Sequence, residues 1–189
     1  VFAENTAETF QFTREAQDAF ALTSLDRALK ATEDGTFARE ITVVTVKNRN
    51  GETKVESDEQ PRNARPDKIP QLRPAFRDGG TVTAANASSI SDGAAALVLL
   101  RRSEAEKRGL PPMAAIRAHA IHAAEPEWFT TAPIGAINKV LEQAGWTKEE
   151  VDLFEINEAF ASQVLSCLKG LDVAFDDPRV NPNGGGIAI

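Results

Sequence analysis

Apolar side chains recur at helical spacing over residues 14–31, where Ala16, Ala19, Phe20, Leu25, Ala28 and Leu29 form one stripe. That spacing predicts a helix with a single buried face, and Gly35 follows as its stop. The first dozen residues are polar without a clear period, and no element is predicted for them. Residues 41–46, Ile-Thr-Val-Val-Thr-Val, are β-branched throughout and predict a strand. Asn50-Gly51 then predicts a hairpin turn with a return strand near residues 53–55. Residues 57–77 are charged and rich in proline, which reads as an extended surface excursion. Its apolar members Ile69, Leu72 and Phe76 are candidates to fold back onto a core or a ligand.

A run of small residues from Gly79 leads into residues 94–100, a continuous apolar segment that predicts a fully buried strand. The Ala, Ser and Asn cluster before it lets backbone approach another surface closely, whether ligand or helix. Residues 103–109 predict a helix closed by glycine, and alternation over residues 113–122 predicts another strand. Ile134, Ile137, Leu141 and Ala144 place a helix at residues 133–144, with Gly145 beyond its end. Thr147-Lys-Glu-Glu150 has the form of a capping box. Residues 153–156 read as a short buried strand feeding a helix that starts near Glu158 and runs through Leu168. The last segment, from Asp177, is turn chemistry. This alternation of strands and helices predicts an α/β fold with a mainly buried mixed sheet.

Composition narrows the function without naming it. The 189 residues suffice for one large domain or two small ones. At 42% hydrophobic and 26% charged the chain is ordinary for a globular protein. A formal net charge of −7 argues against non-specific nucleic-acid binding, though not against a local basic pocket for a phosphorylated ligand. No apolar run is long enough to span a membrane. The single cysteine, Cys167, excludes an internal disulfide and a cysteine-based zinc site, so a reducing, cytoplasmic setting fits best. Val1 in place of methionine and the stop after a glycine run lead us to expect a longer polypeptide.

One polar residue stands out. Asn157 is delivered by apolar residues on both sides to a strand-to-helix junction, a place where amides can face a ligand. Taken alone, it reads as the helix N-cap.

Three stretches change that reading. Gly80-Thr-Val-Thr-Ala-Ala-Asn-Ala-Ser88, followed by Ser91-Asp-Gly-Ala-Ala-Ala96, resembles a signature of the thiolase family. Asn157-Glu-Ala-Phe-Ala161 matches that family's asparagine motif, and Asn183-Gly-Gly-Gly-Ile-Ala-Ile189 resembles the lead-in to its catalytic histidine motif. Asp58-Glu-Gln-Pro-Arg62 and Leu72-Arg-Pro-Ala-Phe76 fall where the family carries an inserted loop domain. The order agrees along essentially the whole chain.

The resemblance, to acetyl-CoA acetyltransferases and 3-ketoacyl-CoA thiolases, implies part of an α-β-α-β-α layered sandwich plus that loop domain. Residues 1–90 would be most of the loop domain, and residues 91–110 a closing strand and helix of the N-terminal core domain. Residues 111–189 would be the first part of the C-terminal core domain. It implies Claisen condensation or thiolysis of coenzyme A thioesters in lipid metabolism, with those thioesters as substrates and no metal or other cofactor. Asn157 would hold a water of an oxyanion hole, a role in which fixed donors are among the largest catalytic contributions. Ala87 and Ser88 would line the pantetheine channel, and Phe76, Phe129 and Phe160 would wall the pantetheine and acyl ends. Arg62 would reach the adenosine-phosphate end of coenzyme A, as a guanidinium suits phosphate. Partners implied are acyl-CoA, the remaining parts of a thiolase chain, and further copies in a homodimer or homotetramer, with neither nucleic acid nor membrane.

The chain also departs from the family. The nucleophilic cysteine, the Gly-His-Pro histidine and the second cysteine are not in it. Cys167 lies inside a helix at a packing position, and His119 and His122 are far from the histidine motif. Ala85 and Ser89 stand where glycine is frequent, and Phe129-Thr-Thr-Ala-Pro133 replaces a methionine-glycine pattern. These 189 residues alone are therefore expected to be inactive. The rival reading is a non-catalytic acyl-CoA-binding or assembly fragment derived from a thiolase.

Overall fold

The computed structural model describes residues 1–49 and 51–189. Helix α1 (Phe2–Phe10) opens the chain and ends at Gln11 in the left-handed conformation, φ 61°. Its buried residues are Ala3, Glu4, Thr6 and Ala7, which sit at helical spacing. Helix α2 (Arg14–Glu33) begins where the Thr13 hydroxyl accepts from the Ala16 N–H at 3.2 Å, a side-chain cap for an otherwise orphaned donor. Its buried side, including Ala21, Leu25 and Ala28, is the stripe expected from the sequence.

Strands β1 (Val44–Asn48) and β2 (Gly51–Val55) form an antiparallel hairpin pairing Val44 with Val55 and Asn48 with Gly51. Every residue of both strands is exposed. The turn predicted at Asn50-Gly51 falls in part on Asn50, which lies outside the described residues. Short helices α3 (Gln60–Asn63) and α4 (Arg102–Lys107) follow. Helix α5 (Ala132–Ala144) carries proline in its first turn and stops at Gly145, φ 69°, as its terminal glycine predicts.

Helix α6 (Ala161–Gly170) is the centre of the packing, buried at every residue from Ala161 to Leu168. A helix buried all round must satisfy its polar side chains internally. Ser162 donates to the Ala3 carbonyl at 3.1 Å and Ser166 to the Gln163 carbonyl at 2.8 Å. Val164, Cys167 and Leu168 join Phe154, Ile156 and Val180 in the main apolar cluster. Leu165 packs with Ala7 and Phe12 in a second.

Four sequence expectations need correction. Residues 94–100 and 113–122 form no strand. Leu97, Val98, Met113 and Ile121 stand exposed, because a strand exists only as part of a ladder and no described residue pairs with them. Residues 153–156 make one isolated parallel bridge, Phe154 to Val180, instead of a full strand. The helix after Asn157 starts at Ala161, three residues later than expected, with Phe160 at the N-cap position. The capping-box sequence at Thr147 forms a single 3-10 turn, in which the Glu150 carboxylate accepts from the Thr147 N–H at 2.8 Å. Among the described residues no helix is long and apolar enough to cross a membrane.

Candidate functional site

The start of α6 is held by a loop from elsewhere in the chain. The Ala161 N–H donates to the Asn86 carbonyl at 2.9 Å, and the Ser88 N–H donates to the Ala159 carbonyl at 3.1 Å. Together they make an antiparallel bridge between Ala87 and Phe160. Close pairing of two loops demands small side chains, and the Ala-Asn-Ala-Ser run supplies them. Asn86 is fully buried and anchors its own loop: its amide donates to Asp18 at 2.9 Å and to the Thr81 carbonyl at 3.0 Å, and accepts from the Thr83 N–H at 2.8 Å. Asp18 is itself paired with Arg14 at 2.7 Å. The Glu4 carboxylate, also buried, accepts from the Thr81 and Val82 N–H groups at 2.9 to 3.0 Å. Charge-assisted bonds of this kind are stronger than neutral ones, and they fix the small-residue loop to α1 and α2.

Asn157 sits between two clamped neighbours. Before it, the Ile156 N–H donates to the Asn181 side-chain oxygen at 2.7 Å and the Ile156 carbonyl accepts from the Asn181 Nδ2 at 2.8 Å. After it, the buried Glu158 carboxylate accepts from Asn181 Nδ2 at 2.9 Å, Ser24 Oγ at 2.6 Å and the Ile187 N–H at 3.2 Å. The Ser24 hydroxyl in turn accepts from the Gly185 N–H at 3.1 Å. Asn181 has φ 44°, which asparagine tolerates better than other residues with a side chain. Asn157 itself is exposed and has no hydrogen-bond partner among the described residues.

The Asn157 side chain borders a mainly apolar cavity of about 300 Å³ with Phe129, Pro133, Ile137, Ala159 and Gln163. Gln163 is buried and donates to the Cys167 sulfur at 3.4 Å, while its Oε1 lacks a partner among the described residues. Glu155 lies at the same cavity. Burial, then the neighbouring Glu158 and Glu40 charges, raise its carboxyl above the ordinary range. A second cavity, of about 470 Å³, lies between α2 and residues 59–72 and is lined in part by Ala84, Ala85, Ile187, Arg65 and Lys68.

The candidates from the sequence fall into two groups, with Arg62 apart from both. Asn157 and Phe129 border the first cavity, next to Ala159. Ala87, Ser88 and Phe160 lie together where the two loops pair, and Phe76 meets Phe160 edge-to-face at a centroid distance of 6.1 Å. Arg62 is exposed on α3 and lines neither cavity, whereas Arg65 and Lys68 line the second. Sequence reasoning missed the Asn181–Glu158 network. The signal available was a carboxylate directly after Asn157 inside an apolar stretch. Asn157 is not the helix cap, since three residues separate it from Ala161 and Phe160 holds the cap position.

Cys167 is buried, contacts the Thr130 carbonyl at 3.6 Å, and its thiol is pushed up to about 11 by burial. A thiol so placed is not a nucleophile. Among the described residues no group of three or more His, Cys, Asp and Glu could hold a metal ion.

Comparison with known proteins identifies the scaffold. Residues 1–103 match the family model for the thiolase N-terminal domain, and residues 110–189 match that for the thiolase C-terminal domain. The chain belongs to the thiolase family. This thiolase chain is 47% identical to an acetyl-CoA acetyltransferase of Rhizobium meliloti (strain 1021) over 190 residues, covering 100% of this chain and 48% of the relative. It is 43% identical to the peroxisomal 3-ketoacyl-CoA thiolase B of Rattus norvegicus, covering 100% of this chain and 46% of that one. Its fold superposes on the crystal structure of the Bacillus anthracis acetyl-CoA acetyltransferase with a TM-score of 0.94 at 44% identity, over 99% of this chain and 47% of that chain. The α/β thiolase-like fold class is therefore correct, although the described ladders are limited to the hairpin and two isolated bridges. The chain spans about half the length of the curated relatives it matches.

Proposed function

We propose that this chain supplies the oxyanion amide and part of the coenzyme A site of a thiolase-type acyltransferase. The reaction is the reversible Claisen condensation of acyl-CoA thioesters, or thiolysis of a 3-ketoacyl-CoA. The observation that carries this reading is Asn157, an unpartnered amide held by its backbone at the edge of an apolar cavity. When a thioester or 3-keto carbonyl takes on negative charge, an amide N–H aimed at that oxygen, directly or through one water, lowers the barrier. Removing one such donor costs roughly 3–4 kcal/mol. Apolar walls from Phe129 and Ile137 would lower the local dielectric around a bound thioester and strengthen that interaction.

Ser88 and Ala87, paired against Ala159 and Phe160, would leave room for the thin pantetheine tether, with Phe76 and Phe160 as its apolar wall. Arg62 stands further out, and Arg65 and Lys68 offer alternative cations for the adenosine phosphates. No metal or cofactor is needed beyond the coenzyme A thioesters. The acyl-accepting thiol must come from outside these residues, since Cys167 is buried and poorly ionised. Exposed Leu97, Val98, Leu99 and Ile121 would be covered by the remaining parts of a thiolase subunit, with a homodimer or homotetramer as the assembled, cytoplasmic form.

Cys167 also favours a second reading, a non-catalytic acyl-CoA-binding or assembly fragment. Thiolysis of acetoacetyl-CoA by the purified native polypeptide, paired with calorimetric titration of coenzyme A, separates the two. Turnover abolished by thiol alkylation supports the acyltransferase. Coenzyme A binding without turnover supports the fragment, and neither binding nor turnover contradicts both.

A further inference from the structure

Asn157 presents an unusual problem of orientation. Its side chain has no hydrogen bond among the described residues, so nothing attached to the amide itself aims it. Its direction must be inherited from the backbone on either side. That backbone is not held by a ladder, because residues 153–156 make only the single bridge from Phe154 to Val180.

We propose that Asn181 and Glu158 are positioning residues that aim the Asn157 amide into the cavity, an inference that rests on the acyltransferase reading above. The Asn181 side chain satisfies both the N–H and the carbonyl of Ile156, at 2.7 and 2.8 Å, and so replaces a neighbouring strand at one peptide unit. The same Nδ2 reaches the Glu158 carboxylate at 2.9 Å, so one amide ties the residues before and after Asn157. Glu158 then ties that unit to α2 through Ser24 and to the glycine-rich segment through the Ile187 N–H. Both side chains are buried, where such bonds are shielded from water. A displacement of about 1 Å in a catalytic group can cost on the order of 100-fold in rate, so the clamp acts on catalysis through Asn157.

The test is a double-substitution cycle on thiolysis of acetoacetyl-CoA by the native full-length polypeptide, reading kcat and KM separately. Asn181→Gly is the principal variant, because glycine accepts the positive φ while removing the amide. Alone, it is expected to lower kcat by roughly 10- to 100-fold with little change in KM. Combined with Asn157→Ala, it is expected to lower kcat by less than about twofold further, since residues acting through one group are not additive. A full additional loss in the double variant, or an unchanged kcat in Asn181→Gly, overturns the clamp while leaving the role of Asn157 intact. An unchanged kcat in Asn157→Ala overturns the acyltransferase reading and the clamp with it. Should Asn181→Gly fail to fold, Glu158→Gln enters the same cycle with the same outcomes, since a glutamine amide presents a donor to one of the three donors facing Glu158.

Discussion

The Ser88 N–H donates to the carbonyl of Ala159 at 3.1 Å, and the Ser88 hydroxyl reaches the same oxygen at 3.3 Å. Two stretches 71 residues apart are thereby one antiparallel pair. The pairing sets the small-residue loop along the lead-in to α6 and leaves Asn157 on the cavity side. It depends on Asn86, whose buried amide makes three bonds and whose carbonyl receives the first N–H of α6. Asn86→Ala is expected to destabilise the protein by roughly 2–4 kcal/mol, because it removes the partner of Asp18 Oδ1, leaving Asp18 only its Arg14 pair, and strips the Thr83 N–H of its acceptor in the interior. Urea unfolding measures the change, and a loss below about 0.5 kcal/mol would contradict the anchoring role.

Gly184 lies where the glycine-rich segment passes α2. It has φ 78°, and an added Cβ would sit 2.5 Å from the Ser24 carbonyl oxygen and 2.9 Å from the Ala28 Cβ. Gly184→Ala combines backbone strain with a clash against helix backbone, so a loss of about 2–4 kcal/mol is expected. Because Ser24 also bonds Glu158, the same change should disturb amide exchange at Ile187. Thermal unfolding and hydrogen exchange read the two effects.

Cys167 should behave as a packing residue. Its thiol is pushed up to about 11 by burial in α6, against an ordinary value near 8.5, so its thiolate fraction at neutral pH is lower than that of a free thiol by a factor on the order of 300. Labelling with a disulfide reagent should be slow in the folded protein and fast in denaturant. Rapid labelling of Cys167 under native conditions would show that α6 is not the buried centre.

Glu155 supplies a pH test with a definite sign. Burial and the charges of Glu158 and Glu40 raise its carboxyl above the usual range, so the folded protein binds this proton more tightly than the unfolded chain. Ionisation of Glu155 therefore opposes folding, and that opposition grows as pH rises through the ordinary glutamate value of about 4.3. Glu155→Gln is expected to raise the unfolding temperature at pH 7, with the advantage fading below about pH 4. Solvent access to this side chain keeps the effect small. An equal advantage at both pH values would contradict the assignment.

Helices α2, α4 and α5 were legible in the sequence because each pairs apolar periodicity with a stop glycine, at Gly35, Gly109 and Gly145. Helix α1 was not, since two of its four buried residues, Glu4 and Thr6, are polar and satisfied by distant partners such as the Thr81 N–H and Thr130. Residues 94–100 have the apolar content of a buried strand, but a local pattern cannot report whether a neighbour is present to complete the ladder. The same limit hid the clamp. Asn181 does serve as a turn residue, as its local sequence indicates, yet its side chain acts on Ile156, 25 residues away, and Glu158 meets Ser24 across 134 residues.

The central claim is that the Asn157 amide faces the developing oxyanion. It is tested most directly by steady-state thiolysis of acetoacetyl-CoA with Asn157→Ala in the native polypeptide, alongside calorimetric affinity for coenzyme A. The account predicts a fall in kcat of about 100- to 1000-fold with coenzyme A affinity nearly unchanged. A kcat within about threefold of the unsubstituted protein, when each removed oxyanion donor should cost far more, would contradict it.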